Sequence, residues 1–279
     1  MTSAAKPVLL IRADGNEGDA AALKAVGLES FTDPYLAIQP LPGQEGQAAA
    51  AKLLARIGTL QAGDWVIATS LNGLKAWGIK AWELTRRSAV AEAFADAKER
   101  GVRFAAIGAA TAAKFGEFGV YDVFVPSEAY GLALAQQLVA EAAPEAANLN
   151  RPVRALIPAG NLAMKTLTDE LAAAGWQVAS EVIYETAIIP TKPETADRIG
   201  DFSAVLFRSP SAARAFAHWT RADAARSIPV VCGGRTTAAV AENLGLNVVA
   251  ITPDTSGESI AATLIEATLA KPNHSIGAN

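Results

Sequence analysis

The sequence predicts an α/β protein with a mostly parallel sheet, built as two similar lobes from a duplicated unit. Three observations carry this. Short apolar runs alternate with alanine-rich helical patterns along most of the chain. Two segments repeat each other: "IGAATAAKFGEFGVYDVFVPSEAYGLAL" at 107–134 and "GGRTTAAVAENLGLNVVAITPDTSGESI" at 233–260. Two proline-containing breaks, "QPLPGQEG" (39–46) and "PTKPE" (190–194), suit crossings between lobes.

The elements follow in order. "VLLIR" (8–12) precedes a helix around 17–26 that stops at Gly27. "DWVIATS" (64–70) precedes "LNGLKAW", and "VRFAAIG" (102–108) precedes "ATAAKFGEF". "VRALIPAG" (153–160) precedes "NLAMKTLTDELAAAG", with the helix expected directly after the strand. "FSAVLFRS" (202–209) precedes "PSAARAFAHW", and "IPVVCGG" (228–234) precedes "RTTAAVAENLG". Short runs with several β-branched residues suit strands buried on both faces. Ser209 before Pro210 is an N-cap followed by proline at the first helical position. Gly27, Gly119, Gly175 and Gly245 each read as a helix stop.

Setting Thr111 over Thr237 brings Gly108 onto Gly234, Gly119 onto Gly245 and Gly131 onto Gly257. Setting Ser70 over Ser209 lays "WVIATSLNGLKAW" on "AVLFRSPSAARAF". A looser pair is "LLIRADGNEGDAAALKAVG" with "ALIPAGNLAMKTLTDELAAAG". The three pairs keep one order, as a duplicated unit would. Two lobes of this kind usually hold a ligand between them.

Composition narrows the function classes. The chain has 279 residues, 51% hydrophobic and 19% charged, with a formal net charge of −4. A core of ordinary size is possible, and disorder over most of the length is not expected. The acidic balance and the lack of a Lys/Arg cluster argue against a nucleic-acid surface. The one cysteine, Cys232, excludes a disulfide framework and suggests a reducing compartment, hence the cytoplasm. It ends an apolar run and reads as a buried thiol. The N-terminus does not read as a signal peptide, no run is long enough to span a membrane, and the tail "KPNHSIGAN" is polar.

Each repeated turn places Gly, Ser, Thr or Asn where a strand ends and a helix begins. Backbone N–H groups there lack intrahelical partners, and the helix dipole adds positive potential. Such turns hold anions without lysine or arginine, and open α/β sheets bind ligands at these strand ends. Serine and threonine also cap helices for purely local reasons, so each of Ser70, Thr111, Ser209 and Thr237 has that structural role as an alternative. The threonines are expected to cap their helices and point hydroxyls toward a ligand. His218 and His274 are the only histidines, and neither has a Cys or His partner nearby, so a histidine triad or zinc site is not expected. Neither a P-loop nor a dinucleotide G-x-G-x-x-G is present.

Tyr184 stands in "QVASEVIYETAII", an extended stretch leading to the second break. A phenol is a weak acid that can protonate a departing hydroxyl. Its alternative role is aromatic packing at a hinge.

Taken together, these pieces resemble the uroporphyrinogen-III synthase family. The resemblance runs from about residue 8 to 268. It rests on "LLIRADGNEGDAAALKAVG", "IATSLNGLKAW", "AAIGAATAAKFGEFG", "LIPAGNLAMKTLTDELAAAGWQV" with "VIYET", "LFRSPSAARAF" and "VCGGRTTAAVAENLG", in the family's order. It implies two flavodoxin-like lobes with parallel sheets joined by a two-stranded β-ladder hinge. Residues 1–38 with 188–279 would form one lobe and 40–186 the other, with crossings near 39–46 and 186–193. The implied reaction is cofactor-free. It cyclises hydroxymethylbilane, which carries eight carboxylates, to uroporphyrinogen III with ring D inverted through a spiro intermediate. Loss of the hydroxyl as water leaves an azafulvene cation, and the enzyme's main task is to hold the conformation that favours the spiro route.

The resemblance also assigns residues. Tyr184 matches a tyrosine thought to assist loss of the hydroxyl. Ser70, Asn72 and Thr111 match substrate-binding positions of one lobe, and Ser209, Ser211 and Thr237 those of the other. Gly160 and Asn161 match a turn at the cleft. Lys165 stands where the family often has an arginine, and Arg12 fits an arginine after the first strand. Arg208 is less usual. The implied partner is the small-molecule substrate, with hand-over from hydroxymethylbilane synthase as a further expectation. A monomer is expected, with no nucleic acid and no membrane.

Two rivals stand beside this reading. One is a non-catalytic two-lobe sensor or binding protein for a small anionic ligand. The other is a nucleotide-using α/β enzyme such as a glycosyltransferase, which would need a carboxylate for the ribose or a metal.

Overall fold

The computed structural model describes residues 6–269; His274 and the polar tail lie outside the described residues. The chain opens with β1 (Val8–Leu10), α1 (Asn16–Ala25), β2 (Ser30–Thr32), β3 (Leu36–Pro40) and α2 (Gly43–Ile57). It continues with β4 (Trp65–Ala68), α3 (Leu71–Thr85), α4 (Ala89–Glu99), β5 (Arg103–Ala106), α5 (Ala109–Gly116) and α6 (Gly131–Ala146). Next come β6 (Arg154–Gly160), α7 (Thr166–Ala173), β7 (Gln177–Ile188), β8 (Ala204–Phe207) and α8 (Pro210–Trp219). The last elements are α9 (Ala222–Ser227), β9 (Val230–Cys232), α10 (Arg235–Asn243), β10 (Val248–Ile251) and α11 (Gly257–Leu269).

The chain divides into two compact units, Met1–Ala37 with Thr186–Asn279 and Ile38–Glu185. The sheet of the first unit runs β10-β9-β8-β1-β2, with each neighbouring pair parallel. Both faces of this sheet are covered. Leu9 and Ile11 pack into one buried cluster with Phe207 and Phe216, and Val8 and Leu10 into another with Leu206 and Leu264. That burial on both faces explains the near-continuous apolar strands.

The second sheet runs β3-β7-β6-β4-β5, and Ala105 in β5 bridges in parallel to Phe124. Here Trp65 and Ile67 face one cluster, and Val66 and Ala68 the other. β3 and β7 are neighbours. In the second unit Leu41 N–H donates to the Ile183 carbonyl, and in the first Ile189 N–H donates to that of Tyr35. At the start of β4, Asp64 is fully buried and accepts from Arg151 and from the side chain and backbone of Arg154. Burial alone would raise its pKa, but these donors and the Gln61 N–H outweigh it and hold the carboxyl below its usual value.

The two sheets share one plan. The sequence repeat matches β6 with β1, β4 with β8 and β5 with β9. The second sheet then reads β7-β6-β4-β5-Phe124 against β2-β1-β8-β9-β10. Each unit draws on both halves of the sequence repeat: β1 of the first half stands beside β8 of the second, and β6 of the second beside β4 of the first.

Two local expectations are corrected. Residues 39–46 are mostly not an irregular break. Gln39 and Pro40 end β3, and α2 begins at Gly43 after Pro42 as its N-cap. Proline is tolerated at a strand end because no ladder bond is lost there. The helix after β6 starts at Thr166, not directly after Gly160, so residues 161–165 form a separate turn. The glycine stops stand: Gly27, Gly119, Gly175 and Gly245 all adopt positive φ, between 72° and 85°.

Candidate functional site

In each sheet the strand order reverses at one place: between β1 and β8 in the first unit, and between β6 and β4 in the second. The loops leaving the carboxyl ends of these strands diverge there, which opens a crevice in folds of this kind. Arg12, Ser70, Gly160, Asn161 and Ser209 lie at these strand ends or on these loops, whereas Thr111 and Thr237 follow β5 and β9, one strand further out.

In the second unit, Ser70 caps α3 and its Oγ accepts from Asn72 N–H at 3.1 Å. Gly73, one position on, backs onto β6: a Cβ there would stand 2.6 Å from the Pro158 carbonyl oxygen. Only glycine lets α3 approach that strand. Across the reversal, Gly160 ends β6 and pairs with Tyr184 of β7. The register shifts immediately before this pair: Ala159 faces Val182 and Gly160 faces Tyr184, so Ile183 is an extra residue. Bulges of this kind re-aim side chains. Here Ile183 is buried in the core, and the half-buried Tyr184 ring lies over the Gly160 backbone. Asn161 N–H donates to the Tyr184 carbonyl at 3.0 Å, closing the turn on the tyrosine.

Thr111 and Thr237 correct an expectation. Neither caps its helix. The N-caps of α5 and α10 are Gly108 and Gly234, both extended, with no side-chain cap bond. Each threonine sits at the third helical position, its N–H donating to that glycine's carbonyl at 3.1 Å. Each is 5% exposed. The repeat therefore preserves a buried threonine one turn inside the helix, with a glycine at its mouth.

In the first unit, Ser209 caps α8 by accepting from Ala212 N–H at 3.3 Å, with Pro210 at the first helical position. Its hydroxyl also lies 2.9 Å from that of Ser211. On the other side of the reversal, the Arg12 guanidinium donates to the Gly15 carbonyl and stands 3.7 Å from Asp19 Oδ2. Arg208, at the end of β8, donates to Asp19 Oδ1 at 3.1 Å. Asp19 is therefore shared by two arginines. In the sequence Asp19 carries no signal of this, because an acid in the first turn of a helix complements the dipole without further partners. What sets it apart is its burial, which the residue pattern of α1 does not reveal.

The structure brings together Gly160, Asn161 and Tyr184, and separately Ser70 with Asn72 and Ser209 with Ser211. Lys165 is exposed at the start of α7, at the end of the 161–165 turn. Among the described residues no group of three or more His, Cys, Asp or Glu side chains could hold a metal. His218 stacks edge-on against Trp219. No described helix is long and apolar enough to cross a membrane.

The family model for uroporphyrinogen-III synthase HemD matches residues 18–262. The chain belongs to the uroporphyrinogen-III synthase family. It is similar in fold to uroporphyrinogen-III synthetase from Helicobacter pylori, with a TM-score of 0.55 and 14% identity, covering 94% of this chain and 99% of that one. It is also similar to a mutant uroporphyrinogen III synthase from Thermus thermophilus, with a TM-score of 0.52 and 16% identity, covering 95% and 100%. No curated protein matches the chain. Family membership carries a tetrapyrrole substrate and a place in haem biosynthesis, and it favours the synthase over the sensor reading.

Proposed function

We propose that this protein converts hydroxymethylbilane to uroporphyrinogen III as a cyclising hydro-lyase. The observation that carries the reading is the family match over residues 18–262. The geometry of Tyr184 supports the roles. Its half-buried phenol stands at the end of β6, over Gly160, where a leaving hydroxyl can take its proton. Water leaves, and the azafulvene methylene of ring A bonds to the substituted carbon of ring D. The resulting spiro-pyrrolenine breaks the older bond from that carbon to the methylene on ring C, and that methylene bonds to the free carbon of ring D, which releases its proton, leaving ring D inverted.

Ser70, Asn72, Thr111, Gly160, Asn161 and Lys165 serve binding in the second unit, and Arg12, Ser209, Ser211 and Thr237 in the first. Strand-end hydroxyls and backbone N–H groups suit a polycarboxylate. We further propose that the protein works as a monomer in the cytoplasm, with β3 and β7 as its hinge. The test is turnover. Sub-stoichiometric protein should consume a molar excess of hydroxymethylbilane faster than the spontaneous reaction. Binding without accelerated consumption would return the chain to the sensor reading.

A further inference from the structure

Asp19 is an unusual residue at the β1–β8 reversal. Its side chain is 7% exposed, on the first turn of α1. A carboxylate that only complements a helix dipole gains little from burial, and burying it is costly unless cations accompany it. Two do. Arg208 Nη1 lies 3.1 Å from Oδ1, and Arg12 Nη1 lies 3.7 Å from Oδ2. Oδ2 itself makes no hydrogen bond.

The arginines are seated by glycines on both sides. Gly15, at φ 75°, lies under the Arg12 guanidinium: an added Cβ would be 3.3 Å from Nη1 and 3.4 Å from Nη2. Just past β9, a Cβ on Gly233 would be 3.4 Å from Arg208 Cδ. One buried carboxylate thus fixes two guanidiniums and neutralises one of them. Both guanidiniums keep donors that no described residue uses: Nε and Nη2. Planar guanidinium groups match carboxylates in two-point geometry.

We propose that Arg208 is a further substrate-binding residue, taking a carboxylate of the tetrapyrrole beside the one taken by Arg12, and that Asp19 is the positioning residue that aims both. Two carboxylates per pyrrole ring are what eight on four rings supply. The inference rests on the synthase reading for the identity of the ligand.

The experiment measures KM and kcat for hydroxymethylbilane in the whole protein and in Arg208→Gln, Arg208→Lys, Asp19→Asn and Asp19→Glu, with melting temperatures alongside. Binding of uroporphyrin III, an octacarboxylate, is titrated in parallel by fluorescence and needs no turnover. Loss of a charged hydrogen bond should raise KM and weaken uroporphyrin binding by about tenfold or more in Arg208→Gln and Asp19→Asn, with kcat changed by less than about threefold. Arg208→Lys and Asp19→Glu should recover part of the loss. A structural brace would instead lower the melting temperature and the active fraction at constant KM, which overturns the inference. So does tighter binding in Asp19→Asn, since Asp19 would then be a competitor of the substrate. If the wild-type protein binds uroporphyrin and the variants lose it, but no type III product forms, the synthase reading fails while the site stands. Normal turnover with unchanged variants fails the site alone.

Discussion

The ring of Tyr184 lies so close to Gly160 that a methyl group on that glycine would stand 2.5 Å from Cζ, 2.7 Å from Cε2 and 2.8 Å from the hydroxyl oxygen. No real contact is that short, so Gly160→Ala must displace the phenol. The substitution should lower kcat by about 10- to 100-fold through misplacement and cost about 1–3 kcal/mol through overpacking. Steady-state rates and thermal melts check both. Tyr184→Ala in the Gly160→Ala background should recover the stability but not the rate.

Tyr184→Phe leaves the ring and removes only the hydroxyl. The protein should stay folded, with a melting temperature close to wild type, and turn over about 100-fold more slowly, the lower end of general-acid effects. An unchanged rate would remove the phenol from the chemistry and leave positioning alone.

The serines and the threonines of the repeated turns should separate. Ser70→Ala and Ser209→Ala remove observed caps and should each cost about 1 kcal/mol. Thr111→Val and Thr237→Val remove no cap, so their stability should change by less than about 1 kcal/mol. If the threonine hydroxyls meet substrate, KM rises nonetheless. Chemical denaturation beside kinetics distinguishes the two effects.

Asp64 holds β4 and β6 together through Arg151 and Arg154, at the opposite end of β4 from Ser70. Asp64→Asn should destabilise by about 3–5 kcal/mol at neutral pH, with KM unaltered in the folded fraction. Its folded pKa is depressed, so its stabilisation is present above the unfolded carboxyl value of about 3.9 and is lost as pH falls through the folded value. The stability gap between wild type and Asp64→Asn should therefore shrink below about pH 4. A gap that stays constant through strong acid would contradict the assignment.

Cys232 is buried at the end of β9, and burial, aided by the charge of Glu242, pushes its thiol up to about 12. It should resist thiol reagents at about pH 8 in the folded protein, with labelling that follows denaturant unfolding. Rapid labelling of the native protein would show that β9 opens locally.

The parallel strands were legible because two-face burial writes itself as short apolar runs, as in Trp65–Ala68 and Ala204–Phe207. The glycine stops were legible because positive φ selects glycine. The caps Ser70 and Ser209 were legible for the same local reason, whereas Thr111 and Thr237 were not: a hydroxyl near a helix start looks alike at the N-cap and one turn in. The extra residue at Ile183 left no trace either, since a bulge is set by the pairing of β7 with β6 and not by β7 itself. Asp19 was hidden because its partner Arg208 lies far along the chain, in the second half of the sequence repeat.

The central claim is tested most directly by the isomer formed. Hydroxymethylbilane is generated in situ from porphobilinogen and its synthase, this protein is added, and the oxidised porphyrins are separated by chromatography. Mostly the type III isomer is expected, with the type III share falling in Gly160→Ala. Only type I isomer from the folded protein would contradict it, because spontaneous closure at the free position of ring D gives that product without any protein.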